Sequence, residues 1–78
     1  MFTVLKVRVR GEVKEFEMPG ATTVEYAAMR VAEDYGYDPT DGRFVLGLAL
    51  ATSHEPLDPQ MIVADISGPV ECYRRRRR

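Results

Sequence analysis

With 78 residues, 45% of them hydrophobic and 29% charged, the chain has room for one core and one domain. No apolar run approaches the ~20 residues a membrane helix needs, and Met1-Phe2-Thr3-Val4 lacks the basic and apolar regions of a signal peptide, so the expected location is the cytoplasm. Cys72 is the only cysteine, which excludes an internal disulfide, and the formal net charge of −1 hides a division along the chain. Residues 1–73 carry all 12 acidic side chains against six basic ones, a net −6, while Arg74 to Arg78 form an uninterrupted basic run. The expected organisation is therefore a domain over 1–73 and a basic C-terminal tail over 74–78.

The segment Thr3 to Arg10 alternates. Leu5, Val7 and Val9 share one face and Lys6, Arg8 and Arg10 the other, which is the pattern of a half-buried strand. Gly11 supplies a hairpin turn. In Val13-Lys14-Glu15-Phe16-Glu17-Met18, Phe16 and Met18 continue the apolar face while Glu15 and Glu17 point outward. Val13 is out of phase with them, which predicts a bulge beside the turn. Pairing of the two strands sets a basic outer face against an acidic one. Pro19-Gly20 ends the hairpin.

A helix is expected next. Thr22 or Thr23 caps it, Glu25 lies in its first turn, and Val24, Ala27, Ala28, Val31 and Ala32 recur at spacings of three and four. Met29 widens that apolar face, and Gly36 followed by Pro39 stops the helix. Residues 43–50, Arg-Phe-Val-Leu-Gly-Leu-Ala-Leu, read as a strand so continuously apolar that a central place in the sheet is expected. Residues 51–60 read as a loop anchored by Leu57 and Ile62, with Asp58-Pro59 opening a short helical turn. Ser67-Gly68 turns into a last strand, Val70 to about Arg74, with Val70 and Cys72 inward and Glu71 and Tyr73 outward. A hairpin cannot bury its apolar face alone, so the helix must cross the sheet. The fold class is α+β, a mixed sheet packed on one helix.

The order and spacing of these elements resemble the ubiquitin-like β-grasp family. Thr23-Val24-Glu25 opens the helix as the family's Thr-Ile-Glu does. Gly36-Tyr37-Asp38-Pro39-Thr40-Asp41-Gly42-Arg43-Phe44-Val45-Leu46 is similar to the family's Gly-x-x-Pro-x-x-x-Arg-Leu-Ile-Phe. Leu57-Asp58 and Ile62 resemble a leucine turn and the isoleucine after it, and Val70 to Arg75 resembles the last strand and its basic exit. Family membership implies a protein modifier activated through its C-terminal tail by a separate adenylating enzyme. Conjugating and deubiquitinase-like enzymes would then be partners, and the chain itself would be neither an enzyme nor a cofactor binder. Conjugated members and sulfur-carrier relatives finish in Gly-Gly. Arg78 falls close to where the first of those glycines stands, so the modifier reading requires further residues or machinery that accepts another terminus. The alternative is a non-conjugated adaptor that binds proteins through its sheet face. A weaker alternative is a basic-tailed nucleic-acid binder, which the acidic body opposes. The expected state is monomeric.

Two candidate sites follow. Arg74, Arg75, Arg76, Arg77 and Arg78 suit an acidic groove, because guanidinium forks pair with carboxylates; the competing readings are a solvated or added tail and phosphate binding. Arg43, Val45 and Tyr73 point away from the helix by alternation. The resemblance implies that they form a partner-binding patch, against the plain reading of isolated surface side chains. Cys72 alternates with Val70 and reads as a buried, inert thiol. His54 has no second His or Cys at ligand spacing and reads as a surface histidine, so no metal or catalytic site is expected.

Overall fold

The computed structural model describes residues 1–78. Strand β1, Phe2–Val9, buries Leu5, Val7 and Val9 and exposes the residues between them, as its alternation requires. It turns through Arg10 and Gly11, both at positive φ (52° and 84°), into the antiparallel strand β2, Glu12–Pro19. A two-residue turn with both residues left-handed matches the twist of the strands it joins. The register runs unbroken from Phe2 opposite Pro19 to Val9 opposite Glu12, so the expected bulge at Val13 is absent. Val13 stays in register opposite Arg8 and is left 54% exposed. The tight turn fixes the pairing, and one solvated valine costs too little to shift it. Lys6 does face Glu15, but Arg8 meets Val13, so the charge pairing across the hairpin is partial. Lys14 lies on the helix side and pairs with Asp34 at 3.0 Å.

Helix α1 spans Val24–Ala32 and is capped by Thr23, whose Oγ1 accepts from the Tyr26 amide at 3.2 Å. Val24, Ala27, Ala28, Val31 and Ala32 are all buried, and alanines at the contact let the helix lie close against the sheet. Met29 is 41% exposed and does not join them. A 3-10 turn, Glu33–Tyr35, extends the helix to Gly36 at φ 78°. There the Tyr37 amide donates to the Ala32 carbonyl and the Gly36 amide to the Glu33 carbonyl, the paired bonds of a glycine-terminated helix.

Strand β3, Phe44–Leu50, and strand β4, Val70–Arg76, are antiparallel, and β4 runs parallel to β1. The sheet order is β2-β1-β4-β3. The central position expected for residues 43–50 belongs instead to β4, and β3 is an edge strand. Its apolar character has another cause. The loop after it folds back along the outer half of that edge, with the Leu57 amide donating to the Leu48 carbonyl, the Leu50 amide to the Glu55 carbonyl, and Ala49 bridged to Pro56. Residues 48–50 are thus flanked on both sides although no full strand covers them.

Leu57 packs against the core as expected, but the buried anchor beyond it is Val63, 1% exposed, at the start of a 3-10 turn Val63–Asp65. Ile62, half-buried, instead bridges Thr23. Asp58-Pro59 forms a turn and not a helix start: the Asp58 carboxylate accepts from the Gln60 amide at 2.8 Å and its carbonyl from the Met61 amide. The core holds 13 buried residues drawn from α1, all four strands and Val63, and no buried side-chain polar atom lacks a partner. No helix is long and apolar enough to cross a membrane.

Where β1 and β4 meet, the only paired residues are Val7 and Val70. Beyond that point the strands part, and the Tyr35 side chain fills the gap. Its hydroxyl accepts from the Cys72 amide at 3.1 Å and donates to the Arg8 carbonyl. One side chain thus replaces a pair of ladder bonds, and burial raises the pKa of its phenol.

Candidate functional site

β4 runs two residues past the expected end at Arg74, and the Arg77 amide still donates to the Arg43 carbonyl at 2.8 Å. Arg74, Arg75 and Arg76 are therefore strand residues, opposite Leu46, Val45 and Phe44. Alternation divides them. Arg74 and Arg76 lie on the helix side in phase with Cys72, and Arg75 lies on the outer side with Tyr73.

On the outer side, Tyr73 pairs with Gly47, and its ring lies across the glycine. A β-carbon on Gly47 would come within 2.5 Å of the ring, so Gly47 is what lets the tyrosine lie flat against the sheet. Val45, half-buried, and Arg75 stand two residues further along the two strands, on the same face. Val45 and Tyr73 are thus brought together. Arg43 is turned aside: its guanidinium grips Asp41 through two bonds of 3.0 and 2.8 Å. That pairing, with the Arg43 amide, holds the Asp41 carboxyl down at about 2.

On the helix side, Arg74 is held between two rings, 4.4 Å from the Phe44 centroid and 4.6 Å from that of Tyr37. Arg76 and Arg43 approach the same Phe44 ring at 5.8 and 5.6 Å. None of Arg74 to Arg78 is in an ion pair, since the pairs present are Lys14–Asp34, Arg43–Asp41 and His54–Glu71. Arg74 and Arg76, set against aromatic rings and outside any ion pair, suit an acidic partner. Sequence reasoning missed Phe44 and Tyr37 as supports. Phe44 is in phase with Leu46 and Leu48 and so reads as core, but it stands where the arginines, not α1, cover it.

Cys72 is 5% exposed, its Sγ 3.8 Å from the Ala28 carbonyl, and burial raises its pKa from 9.0 to about 11. A buried thiol held protonated in this way exposes little thiolate near neutral pH. Its linkage to stability has a definite sign. The folded state holds the proton more tightly, so the contribution is intact below about pH 9 and is lost as the pH rises through about 11. Tyr35 acts in the same direction. Denaturant titrations should show stability falling over that window, with a shallower fall in Cys72→Ala; a flat profile would contradict the buried thiol. His54, at φ 59°, bonds through Nδ1 to Glu71 Oε1 at 2.5 Å on the surface, and no three His, Cys, Asp or Glu side chains converge as a metal-binding group.

Neither a protein-family model nor a curated protein matches this chain.

Proposed function

We propose that the chain is a ubiquitin-like β-grasp protein that acts by being recognised, with the end of β4 as its contact surface. The fold part of this reading is supported by a hairpin, a crossing helix and a mixed sheet in which the last strand lies beside the first. One observation carries the functional part. The arginine run continues the last strand as far as Arg76, with Arg74 lying against Phe44 and Tyr37, Arg76 near Phe44, and Arg75 beside Tyr73 and Val45 on the other face. Rigid aromatic and arginine side chains on a strand are good anchors for a protein partner, because little side-chain entropy remains to be lost on docking. An acidic protein surface is the complementary partner. In the modifier form of this function that partner is an adenylating enzyme that acts on the chain's C-terminus. In the adaptor form, binding alone is the function.

Intact-mass analysis of the protein isolated from its own cells separates the two forms. Adducts heavier than a target by the mass of this chain are the result expected of the modifier. Arg78 as the natural last residue, with no adducts, would leave only the adaptor. Recognition itself is tested by Arg74→Glu combined with Arg76→Glu. The double variant should fold as the parent does and lose at least about tenfold in affinity for a captured partner. Unchanged affinity would refute recognition through the arginines.

A further inference from the structure

The two edges of the sheet are treated differently. The β2 edge is blunted by Glu12, Lys14, Glu15, Glu17 and Pro19, as edge strands usually are. The β3 edge, Phe-Val-Leu-Gly-Leu-Ala-Leu, has neither charge nor proline. Residues 55–57 cover it only from Leu48 onward. Because the Arg43 carbonyl faces β4, alternation turns the amide and carbonyl of Leu46 to the open side, where no strand pairs with them.

Beside this bare stretch lie two adjoining hollows that share Met29 and Pro39. One, of about 100 Å³, is lined by Glu25, Phe44, Val45, Leu46 and Arg77 as well. The other, of about 170 Å³, adds Tyr26, Arg30 and Glu33. Tyr26 and Met29 are 57% and 41% exposed, large apolar side chains on the open side of the helix. Unpaired backbone groups next to hollows whose shared walls are Met29 and Pro39 are the elements of strand addition, in which main-chain bonds give affinity and alternate side chains fill pockets.

We propose that the Phe44–Leu46 edge receives an extended peptide from a protein partner, paired with Leu46, with an apolar side chain in the Met29–Pro39 hollow and acidic residues at the Phe44 end. The acidic flank follows from charge. Arg76, opposite Phe44 and near its ring, and Arg77, which lines the hollow, stand at that end outside any ion pair and outnumber Glu25 there, whereas the Glu33 end of the groove is balanced by Arg30. The same charges disfavour a second copy of the chain, which would bring another arginine run into the same sheet. The inference rests on the reading of the chain as a protein-binding module, but on the β3 edge and helix side, a surface that shares Val45 but not Tyr73 with the outer face.

The test is selection of random peptides from a phage-displayed library on the intact protein, followed by measurements with the synthetic winner. The expected winners alternate apolar residues and end in Asp or Glu. Binding should slow hydrogen exchange at the Leu46 amide, and N-methylation of the peptide at its paired position should cost about tenfold or more in affinity. Met29→Glu, a change at an exposed position, should keep the circular dichroism of the parent and lose affinity to a similar degree, while Tyr73→Ala should leave binding unchanged. No enrichment over an unrelated control would overturn the proposal. So would winners that lose binding in Tyr73→Ala and keep it in Met29→Glu, a result that leaves the broader recognition reading standing. A dimer in which Leu46 is already protected without peptide would overturn it in favour of a second copy. Groove binding by acidic peptides, together with unchanged partner affinity in the arginine double variant, would instead refute recognition through the arginines alone.

Discussion

Val31→Asp is expected to leave no folded population. Val31 is fully buried in the last turn of α1, in a core that contains no buried polar or charged residue. A domain of this length holds roughly 4–12 kcal/mol of stability, and an ionised group buried without a partner exceeds that reserve unless it takes up a proton or the helix moves. Val31→Ala is the control: it removes two methyl groups, costs about 1–3 kcal/mol and should still fold. Circular dichroism and amide proton dispersion distinguish the outcomes. A well-dispersed spectrum for Val31→Asp would refute the placement of α1 in the core.

Tyr35→Phe should destabilise the domain by about 1–3 kcal/mol while keeping every apolar contact of the ring. The hydroxyl it removes serves both the Cys72 amide and the Arg8 carbonyl, and the phenylalanine satisfies neither. Two readouts separate this from ordinary loss of packing. Exchange of the Cys72 amide should quicken more than that of amides in the hairpin. The alkaline fall in stability should also be shallower than in the parent, because one of the two groups whose proton the fold retains is gone. A variant as stable as the parent would mean that water serves those backbone groups equally well.

The elements with strong periodicity were legible from sequence. Leu5, Val7 and Val9, the five buried residues of α1, the glycine stop at Gly36 and the inward pair Val70 and Cys72 fall where alternation or helical spacing puts them. What misled were positions whose surroundings come from distant parts of the chain. The apolar run at 44–50 signals that both of its sides are covered, but it cannot tell a neighbouring strand from a loop folded back through Pro56. Met29 fits the helical stripe, yet it lies beside Pro39 at the margin of the sheet and stays 41% exposed. Tyr35 gives no local sign that its hydroxyl will enter a gap between strands far from it in sequence. The candidate site was half legible. Val45 and Tyr73 share a face by alternation. The division of the arginine run between two faces depends on how far β4 extends, and strand ends are poorly marked in a stretch of identical residues.

The seam between β1 and β4 has a mechanical meaning. These strands lie side by side, run in the same direction and carry the two ends of the domain, so tension applied between residues near Met1 and those near Arg78 slides one strand along the other. Force in that direction is shared by every link across the seam at once. Here the shared links are the Val7–Val70 pairing and the Tyr35 hydroxyl, set between the strands like a rivet. Pulling on the arginine end therefore loads the Tyr35 phenol, which bonds the β4 backbone at Cys72 two residues before Arg74, so that a single side-chain oxygen shares the tension with the backbone pairing.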